Sequence, residues 1–132
     1  NPGGFKGYGP DCWGLTASDD PSGYDAHAPG NDNGTISPTA ALASFPYAPQ
    51  ASMAVLRHFL SAHGDKIWGR FGFTDAFNET RDWWAKTFLA IDQGPIVVMM
   101  ENYRTGLLWK LFMAAPEVRA GLKKLGFARP GV

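Results

Sequence analysis

Three aspartates are the side chains of this chain best suited to acid–base chemistry. Asp92 lies just before Gly94 and Pro95, and proline is favoured at the first position of a helix. The positive end of a helix stabilises a nearby carboxylate by about 0.3–1 kcal/mol and keeps it ionised. An ionised carboxylate beside a cleft can act as a general base or as a nucleophile. The alternative interpretation of Asp92 is a local Asx turn that shapes the helix entry.

The other two aspartates are candidates for binding a polar ligand. Asp75 lies in an aromatic, turn-like segment, where it could bind a sugar hydroxyl or cap a helix. Asp19 follows Thr16 and Ser18 and could face a cleft, although Asp19 and the two residues after it also fit a turn.

Aromatic residues in the Gly- and Pro-rich segment 1–37 could bind a flat ligand such as a sugar ring. Trp13 offers an apolar face with a hydrogen-bond donor at its edge, and Tyr24 and His27 follow in the same segment. Core packing is the alternative for the tryptophan, and a structural role is the alternative for His27. His58 and His63 are predicted to be structural or solvated, because they lie on an ordinary helix pattern.

Glu101 and Arg104 belong to the apolar segment 91–112, which is the chain's most informative stretch. Its apolar residues cover most sides of a helix, whereas a surface helix confines them to one stripe. A helix enclosed by protein must pair its charges or turn them toward a wet cavity. Glu101 and Arg104 are three residues apart, so they could form an ion pair or line such a cleft.

The composition excludes several classes of function. The chain has 132 residues and a net charge of zero, so it lacks the basic footprint of a nucleic-acid-binding protein. No run of about 18 apolar residues is present, which argues against a membrane-spanning helix. A single cysteine excludes an internal disulfide and argues against a cysteine-based metal cluster. No metal, phosphate or nucleophile motif is recognisable, so we predict neither a metal nor a cofactor.

The patterning predicts a mainly α-helical chain with a long loop at its start. Segment 1–37 is expected to be a loop that packs, and segment 38–132 to be helical. The helices are predicted at 38–44, at 49–62 with Gly64 as its end, at 79–86, at 95–114 and at 117–125. The short helices are too few to surround the apolar one, so we predict that the chain is part of a larger helical barrel. The first residue is Asn1 rather than Met, which fits a chain that begins within a longer protein or after processing.

Four strings of sequence resemble one bacterial family. They are GFKGYGPDCWGLTASD from Gly4, YDAHAPG from Tyr24, DNGTISPTAALASFPY from Asp32 and AIDQGPIVVMMENYRTGLLWKLF from Ala90. They resemble the glucoamylase-like family, which includes endo-β-1,2-glucanases of glycoside hydrolase family 144 and the related domain of cyclic β-1,2-glucan synthases. The resemblance implies an (α/α)6 toroid with the active site at one end of its inner ring. It also implies that this chain is the C-terminal third of that domain, with segment 1–37 covering the cleft.

The family resemblance further implies a glycoside hydrolase that acts on a β-glucan, with β-1,2 linkages expected. Such enzymes use a carboxylic acid and a carboxylate. We carry over Asp92 as the catalytic carboxylate and Asp75 and Asp19 as cleft residues, and we expect the acid to lie outside this chain. The alternatives are a non-hydrolytic glucan-binding module, or an inactive fragment completed by the rest of the toroid or by self-association. The family implies a periplasmic or secreted location.

Overall fold

Helices and three small hairpins make up the regular structure of the chain. The computed structural model describes residues 1–127, so the last five residues of the predicted helical segment 38–132 lie outside it. The helices are α1 (Pro38–Leu42), α2 (Pro49–Ile67), α3 (Ala90–Thr105), α4 (Leu107–Ala114) and α5 (Pro116–Lys124). The strands form antiparallel pairs: β1 (Ala17–Asp20) with β2 (Gly23–Ala26), β3 (Trp68–Gly69) with β4 (Gly72–Phe73), and β5 (Phe77–Asn78) with β6 (Trp83–Trp84). The prediction of a mainly helical chain missed these hairpins.

Segment 1–37 contains a β-hairpin rather than only loop. In β1 the buried positions alternate, but they are occupied by Ser18 and Asp20, so the strand lacks the apolar alternation that sequence patterns rely on. Hydrogen bonds replace that apolar burial, since the Ser37 hydroxyl donates to the Ser18 hydroxyl over 2.7 Å. A pair of backbone hydrogen bonds between Ile36 and Phe77 joins the end of the segment to β5.

Helix α2 continues past Gly64, which corrects the predicted end of the second helix. The helix runs to Ile67, whose side chain is fully buried in the core. Glycine inside a helix costs about 1 kcal/mol relative to alanine, and the burial of one Ile contributes roughly 1.5–3 kcal/mol. Tertiary packing therefore outweighs the local preference at Gly64.

Residues 79–86 form part of a hairpin, so the predicted short helix there is wrong. Asp82 adopts a positive φ of 49°, and its carboxylate accepts a hydrogen bond from the Trp84 indole. Trp84 stacks on Phe77 with ring centroids 5.4 Å apart and an angle of 7° between the rings. This cross-strand aromatic pair stabilises the β5–β6 hairpin in a segment that was predicted to be a helix.

The predicted helix 95–114 is two helices with different bounds. Helix α3 begins at Ala90, so Pro95 lies inside it instead of at its start. Gly106 has a φ of 69° and separates α3 from α4. Left-handed glycine is a common helix terminator, because it has no Cβ to clash.

Helices α3 and α4 are also less enclosed within the described chain than their sequence predicts. Only Asp92 and Asn102 are buried on α3, and no residue of α4 is buried. Large apolar side chains remain exposed on both helices, and we call them the α3–α4 apolar face: Ile91, Val97, Val98, Tyr103, Leu107, Trp109, Leu111, Phe112 and Met113. An exposed apolar surface of this extent is typical of an interaction site.

The core lies between α1, α2 and the two short hairpins that follow α2. Phe59 of α2 packs edge-on against Phe73 and Phe77, with ring centroids 5.9 Å and 5.3 Å away. The segment before α1 closes this core from the other side, and Cys12 and Ile36 are fully buried in it. Among the described residues, no helix has both the length and the hydropathy to cross a bilayer.

Candidate functional site

Asp75 and Asp92 form a buried carboxyl pair, although they are 17 positions apart in the sequence. Asp75 is 1% exposed and Asp92 is 7% exposed. The Asp92 carboxylate lies within hydrogen-bonding reach of the Asp75 carboxyl group. Oδ1 of Asp75 and Oδ2 of Asp92 accept no hydrogen bond from any donor in the described part of the chain. Two neighbouring buried carboxylates repel each other, which disfavours ionisation of both groups at once.

Asp75 is the member of the pair whose pKa is raised. Burial, followed by the hydrogen bond and the negative charge of Asp92, raises the pKa of Asp75 to about 7. The backbone N–H of Asp19 donates to Asp75 Oδ2 over 2.6 Å and opposes that rise. A protonated Asp75 can donate a hydrogen bond to the carboxyl group of Asp92.

Asp92 lies in the first turn of α3, which corrects the prediction that it precedes the helix cap by two residues. Its backbone oxygen accepts a hydrogen bond of 2.6 Å from the hydroxyl of Thr39 on α1. This contact fixes the start of α3 against α1. The positive end of the helix dipole favours a carboxylate at this position.

The β1–β2 hairpin brings Asp19 and Tyr24 to the same place. The two residues are directly paired across the hairpin. The carboxylate of Asp19 accepts a hydrogen bond from the Thr87 hydroxyl. Partial desolvation and then the charges of Asp92, Asp75 and Asp19 raise the pKa of Tyr24. The Tyr24 hydroxyl is thus within electrostatic reach of all three carboxyl groups.

An open cleft of about 320 Å³ lies beside this cluster. Its walls come from the hairpin, α1 and the start of α3, and they include Tyr24, Thr39, Ile91, Asp92 and Pro95. A cleft with one carboxylate, three hydroxyls and several apolar groups suits a sugar, which has polar edges and apolar faces.

The Asp75–Asp92 pair cannot supply both carboxyl groups of a glycosidase. Retaining enzymes hold those groups about 5–5.5 Å apart and inverting enzymes hold them about 6.5–9.5 Å apart, so that sugar or water fits between them. Asp75 and Asp92 are close enough to share a proton. The pair can therefore contribute one catalytic group, and the second has to come from another place.

Trp13 lies at a different cavity from the carboxyl cluster. This cavity has a volume of about 420 Å³, and Tyr8, Leu15 and Asp32 also line it. Trp13 is half-buried and packs against the hydrophobic core. Burial and then a hydrogen bond to Asp32 raise the pKa of Tyr8, so its hydroxyl stays protonated.

His27 is buried beside Asp20 and does not line the cleft within the described residues. Its Nε2 lies 3.5 Å from Asp20 Oδ2. Burial alone would raise the pKa of Asp20, but hydrogen bonds from Asn33, Ser22 and Thr35 lower it. Asp20 is thus an ionised centre that organises the segment after the hairpin, and His27 packs against it.

Glu101 and Arg104 form the ion pair that their spacing allows. Arg104 Nη1 lies 3.1 Å from Glu101 Oε2, and the Thr105 hydroxyl donates to Glu101 Oε1 over 2.8 Å. Nine residues of helix separate Glu101 from Asp92, which corresponds to about 13 Å along the axis. The pair therefore lies away from the carboxyl cluster, and exposed pairs of this kind contribute about 0.2–1 kcal/mol to stability.

The contacts of two threonines and one asparagine of this region were not predicted from the sequence, although Asn102 was recognisable as a polar residue of the apolar segment 91–112. Thr39 donates a hydrogen bond to the backbone of Asp92, and Thr87 donates one to the carboxylate of Asp19. No sequence motif marks either threonine. Asn102 is buried on α3, and its side-chain oxygen accepts the backbone N–H of Trp109 over 3.1 Å. A polar residue in the middle of an apolar helix, four positions before Gly106, was a usable signal for this helix–helix connection.

A comparison with known protein families gives one match that covers most of the chain. Residues 1–116 match the Glycoamylase family, whose description is putative glucoamylase. The chain belongs to this family. The resemblance inferred from the four sequence strings is confirmed.

Several members of the Glycoamylase family are close relatives. The exo beta-1,2-glucooligosaccharide sophorohydrolase (non-reducing end) of Parabacteroides distasonis is 54% identical over 127 residues, which are 95% of this chain and 18% of that protein. A Bacteroides uniformis structure with the same description as the family has a TM-score of 0.95 and 62% identity, over 98% of this chain and 32% of that one. The structure of an endo-beta-1,2-glucanase from Chitinophaga pinensis, in complex with sophorotriose and glucose, has a TM-score of 0.90 and 61% identity. The match covers 95% of this chain and 30% of that one. The chain thus spans less than a third of the length of these relatives.

Proposed function

We propose that this chain supplies part of the catalytic cleft of a β-1,2-glucan hydrolase. The observation that carries the proposal is the buried Asp75–Asp92 carboxyl pair, with Asp92 on the wall of an open cleft. Relatives with 54% and 61% identity are named as β-1,2-glucan-cleaving enzymes, which supports the substrate. One of them is named as an exo enzyme and the other as an endo enzyme, so the proposal concerns the linkage and not the mode of attack.

Asp92 acts as the general base in this proposal. It removes a proton from a water molecule as the water oxygen attacks the anomeric carbon. The bond from that carbon to the leaving sugar's oxygen breaks, and that oxygen takes a proton from an acid outside this chain. Asp75 is a positioning residue, because its proton forms a hydrogen bond that orients the Asp92 carboxylate. Asp19 and Tyr24 bind sugar hydroxyls at the edge of the cleft.

The proposed setting of this site is an (α/α)6 toroid of which α3 is an inner helix. The α3–α4 apolar face would pack against helices of the same domain that lie outside this chain. The exposure of that face and the share of the relatives that this chain spans support the arrangement. The β1–β2 hairpin would then cover one side of the sugar-binding cleft.

The full-length protein that carries this chain tests the proposal. Incubation with linear β-1,2-glucan should release oligosaccharides, and Asp92→Asn should lower kcat by about 10²–10⁴-fold, the usual contribution of a general acid or base. Asp65→Asn, which changes an exposed aspartate of α2, is the matched control and should leave kcat unchanged. Absence of oligosaccharide release would reject the activity. Full activity of Asp92→Asn would reject the assignment of the base.

A further inference from the structure

Four side chains with metal-binding chemistry meet at a place that the proposed hydrolysis does not use. They are Cys12, His58, His63 and Glu79, and each offers one donor atom within 4.8 Å of the other three. Cys12 comes from the first segment, the two histidines from α2 and the glutamate from the β5–β6 turn. The fold thus collects a thiol, two imidazoles and a carboxylate from three separate parts of the chain.

The backbone holds each of these four groups in position. Two hydrogen bonds between Gly9 and Cys12 form a tight turn, and the Cys12 side chain is fully buried. His58 and His63 lie on α2 with ring centroids 5.4 Å apart. Glu79 Oε1 lies 3.0 Å from Nε2 of His63. The carboxylate also occupies the space beside Gly7, where any Cβ would come within 2.5 Å of Glu79 Oε1.

We propose that Cys12, His58, His63 and Glu79 bind one zinc ion or a similar divalent transition metal. Thiolate, imidazole and carboxylate are the ligands that zinc uses in proteins, and four protein ligands are typical of a structural site. Zinc–ligand distances of about 2.0–2.3 Å place the donor atoms of a tetrahedral site less than about 4 Å apart. The observed separations reach this spacing after small rotations of side chains.

The charges of the four groups also match a divalent cation. On binding a metal, the Cys12 thiol would release its proton, and the thiolate and the Glu79 carboxylate would then carry two negative charges that a zinc ion balances. The side chains of His58 and Glu79 are 28% and 26% exposed, so an ion can enter from their side.

Asp11 supplies the outer contact that metal-bound histidines usually have. Its Oδ2 lies 3.4 Å from Nδ1 of His58. A histidine whose Nδ1–H donates to a carboxylate keeps Nε2 free as a metal ligand, and the carboxylate makes that nitrogen more basic.

A metal-free hydrogen-bonded cluster is the competing interpretation. A hydrogen bond between His63 and Glu79 accounts for two of the four groups. It explains Cys12 only through core packing and His58 only through its contact with Asp11, and it gives no single reason for the four donor atoms to lie together. The metal interpretation explains all four groups, and it would correct the prediction from the sequence that the chain lacks a metal site.

Titration of the metal-stripped full-length protein with Co²⁺, in place of zinc, tests the proposal. One equivalent of Co²⁺ should produce visible bands of a tetrahedral ion and a thiolate-to-cobalt charge-transfer band in the near ultraviolet. Zinc should abolish both bands by displacement. Cys12→Ser should remove the charge-transfer band, because Cys12 is the thiolate ligand of the proposed site. His58→Gln should weaken zinc binding by more than about 100-fold, since loss of an outer-shell contact alone costs about 10–100-fold.

A second variant and a control keep the test valid if one substitution prevents folding. His58→Gln changes a partly exposed residue of α2 and is the second variant in case Cys12→Ser does not fold. Glu117→Gln, on exposed α5, is the control for Glu79→Gln and should bind zinc like the wild type. No stoichiometric cobalt spectrum in the folded wild type would overturn the proposal. Wild-type zinc affinity in folded His58→Gln and Glu79→Gln would do the same.

Discussion

Asp75 links the carboxyl cluster to the stability of the chain. Its pKa is about 7 in the folded state, against about 3.9 in an unfolded chain. Between these two values the unfolded chain has released a proton that the folded chain still holds. The contribution of Asp75 is therefore complete below about pH 4 and is lost as the pH rises through about 7. The loss amounts to at most about 4 kcal/mol.

Asp75→Asn should remove this dependence on pH. The amide keeps an oxygen for the Asp19 N–H and gains an N–H₂ group that can donate to Asp92 without carrying a charge. We expect the difference in Tm between variant and wild type to grow in favour of the variant from pH 4.5 to pH 8. Thermal unfolding followed by circular dichroism measures it, with Asp65→Asn as the control. A Tm difference that stays constant over this range would contradict the assignment of the proton to Asp75.

The sequence identifies the residue types of the cluster but not their arrangement. Asp92, Asp75 and Asp19 are recognisable as candidates from their local surroundings. The hydrogen bond from the Asp19 N–H to Asp75 joins residues 56 positions apart, and no local pattern predicts such a contact. The same limit applies to Cys12, whose neighbours on α2 are about fifty residues away along the chain.

At the scale of elements, Gly14 determines how the first segment meets α1. Its φ is 153°, and a Cβ built on it would lie 2.4 Å from the backbone oxygen of Ser37. The same two residues are joined by a hydrogen bond of 2.9 Å from the Ser37 N–H to the Gly14 oxygen. The segment and the helix therefore approach each other more closely than a side chain permits.

Gly14→Ala should destabilise the chain by roughly 1–3 kcal/mol, because both a strained φ and a backbone clash result. Denaturant unfolding at neutral pH measures the change. Gly30→Ala is the matched control, since a Cβ there meets nothing within 4 Å and φ lies outside the left-handed region. Equal stability of the two variants would show that the segment moves away from α1 without cost.

Element types were more predictable than element bounds. Pro38, Pro49 and Pro116 each start a helix as their sequence pattern indicates. Gly64 and Pro95 did not act as local rules suggest, because burial of Ile67 extends α2 past Gly64 and α3 begins at Ala90, ahead of Pro95. Gly106 does follow the local rule for a left-handed helix terminator, and the prediction of one helix over 95–114 overlooked it. Two-residue strands such as β5 carry too little pattern for any local rule.

At the scale of the whole molecule, the α3–α4 apolar face determines how the isolated chain behaves. Leu111 is 61% exposed and Phe112 is 64% exposed, with Leu107 and Trp109 beside them in α4. Covering such a surface stabilises a complex by about 25 cal/mol for each Å² of apolar area removed from water. The isolated 132-residue chain should therefore self-associate at micromolar concentration.

Sedimentation velocity measures this self-association directly. Leu111→Lys should shift the chain toward monomer, because a charged group at the centre of the face opposes its burial. Leu60→Lys, on α2, makes the same chemical change at a residue outside the face and should leave the distribution unchanged. A monomeric wild-type chain over the whole concentration range would contradict the prediction.

The apolar character of α3 and α4 was evident from sequence, whereas their surroundings were not. Residues 91–112 are apolar on most sides, which predicts enclosure. Within the described residues these helices contact mainly α1, α5 and each other, and much of their surface remains uncovered. A pattern of residue types indicates that a surface needs a partner, but it does not identify the partner.

The contact between the Asp19 N–H and the Asp75 carboxyl group also has a kinetic consequence. Helix α2 can form from local contacts, whereas this hydrogen bond has to wait until two distant parts of the chain meet. During refolding from denaturant, pulsed hydrogen exchange should show protected amides in α2 before the amide of Asp19 gains protection. Newly made protein would then pass through a helical state that still lacks its assembled acidic centre.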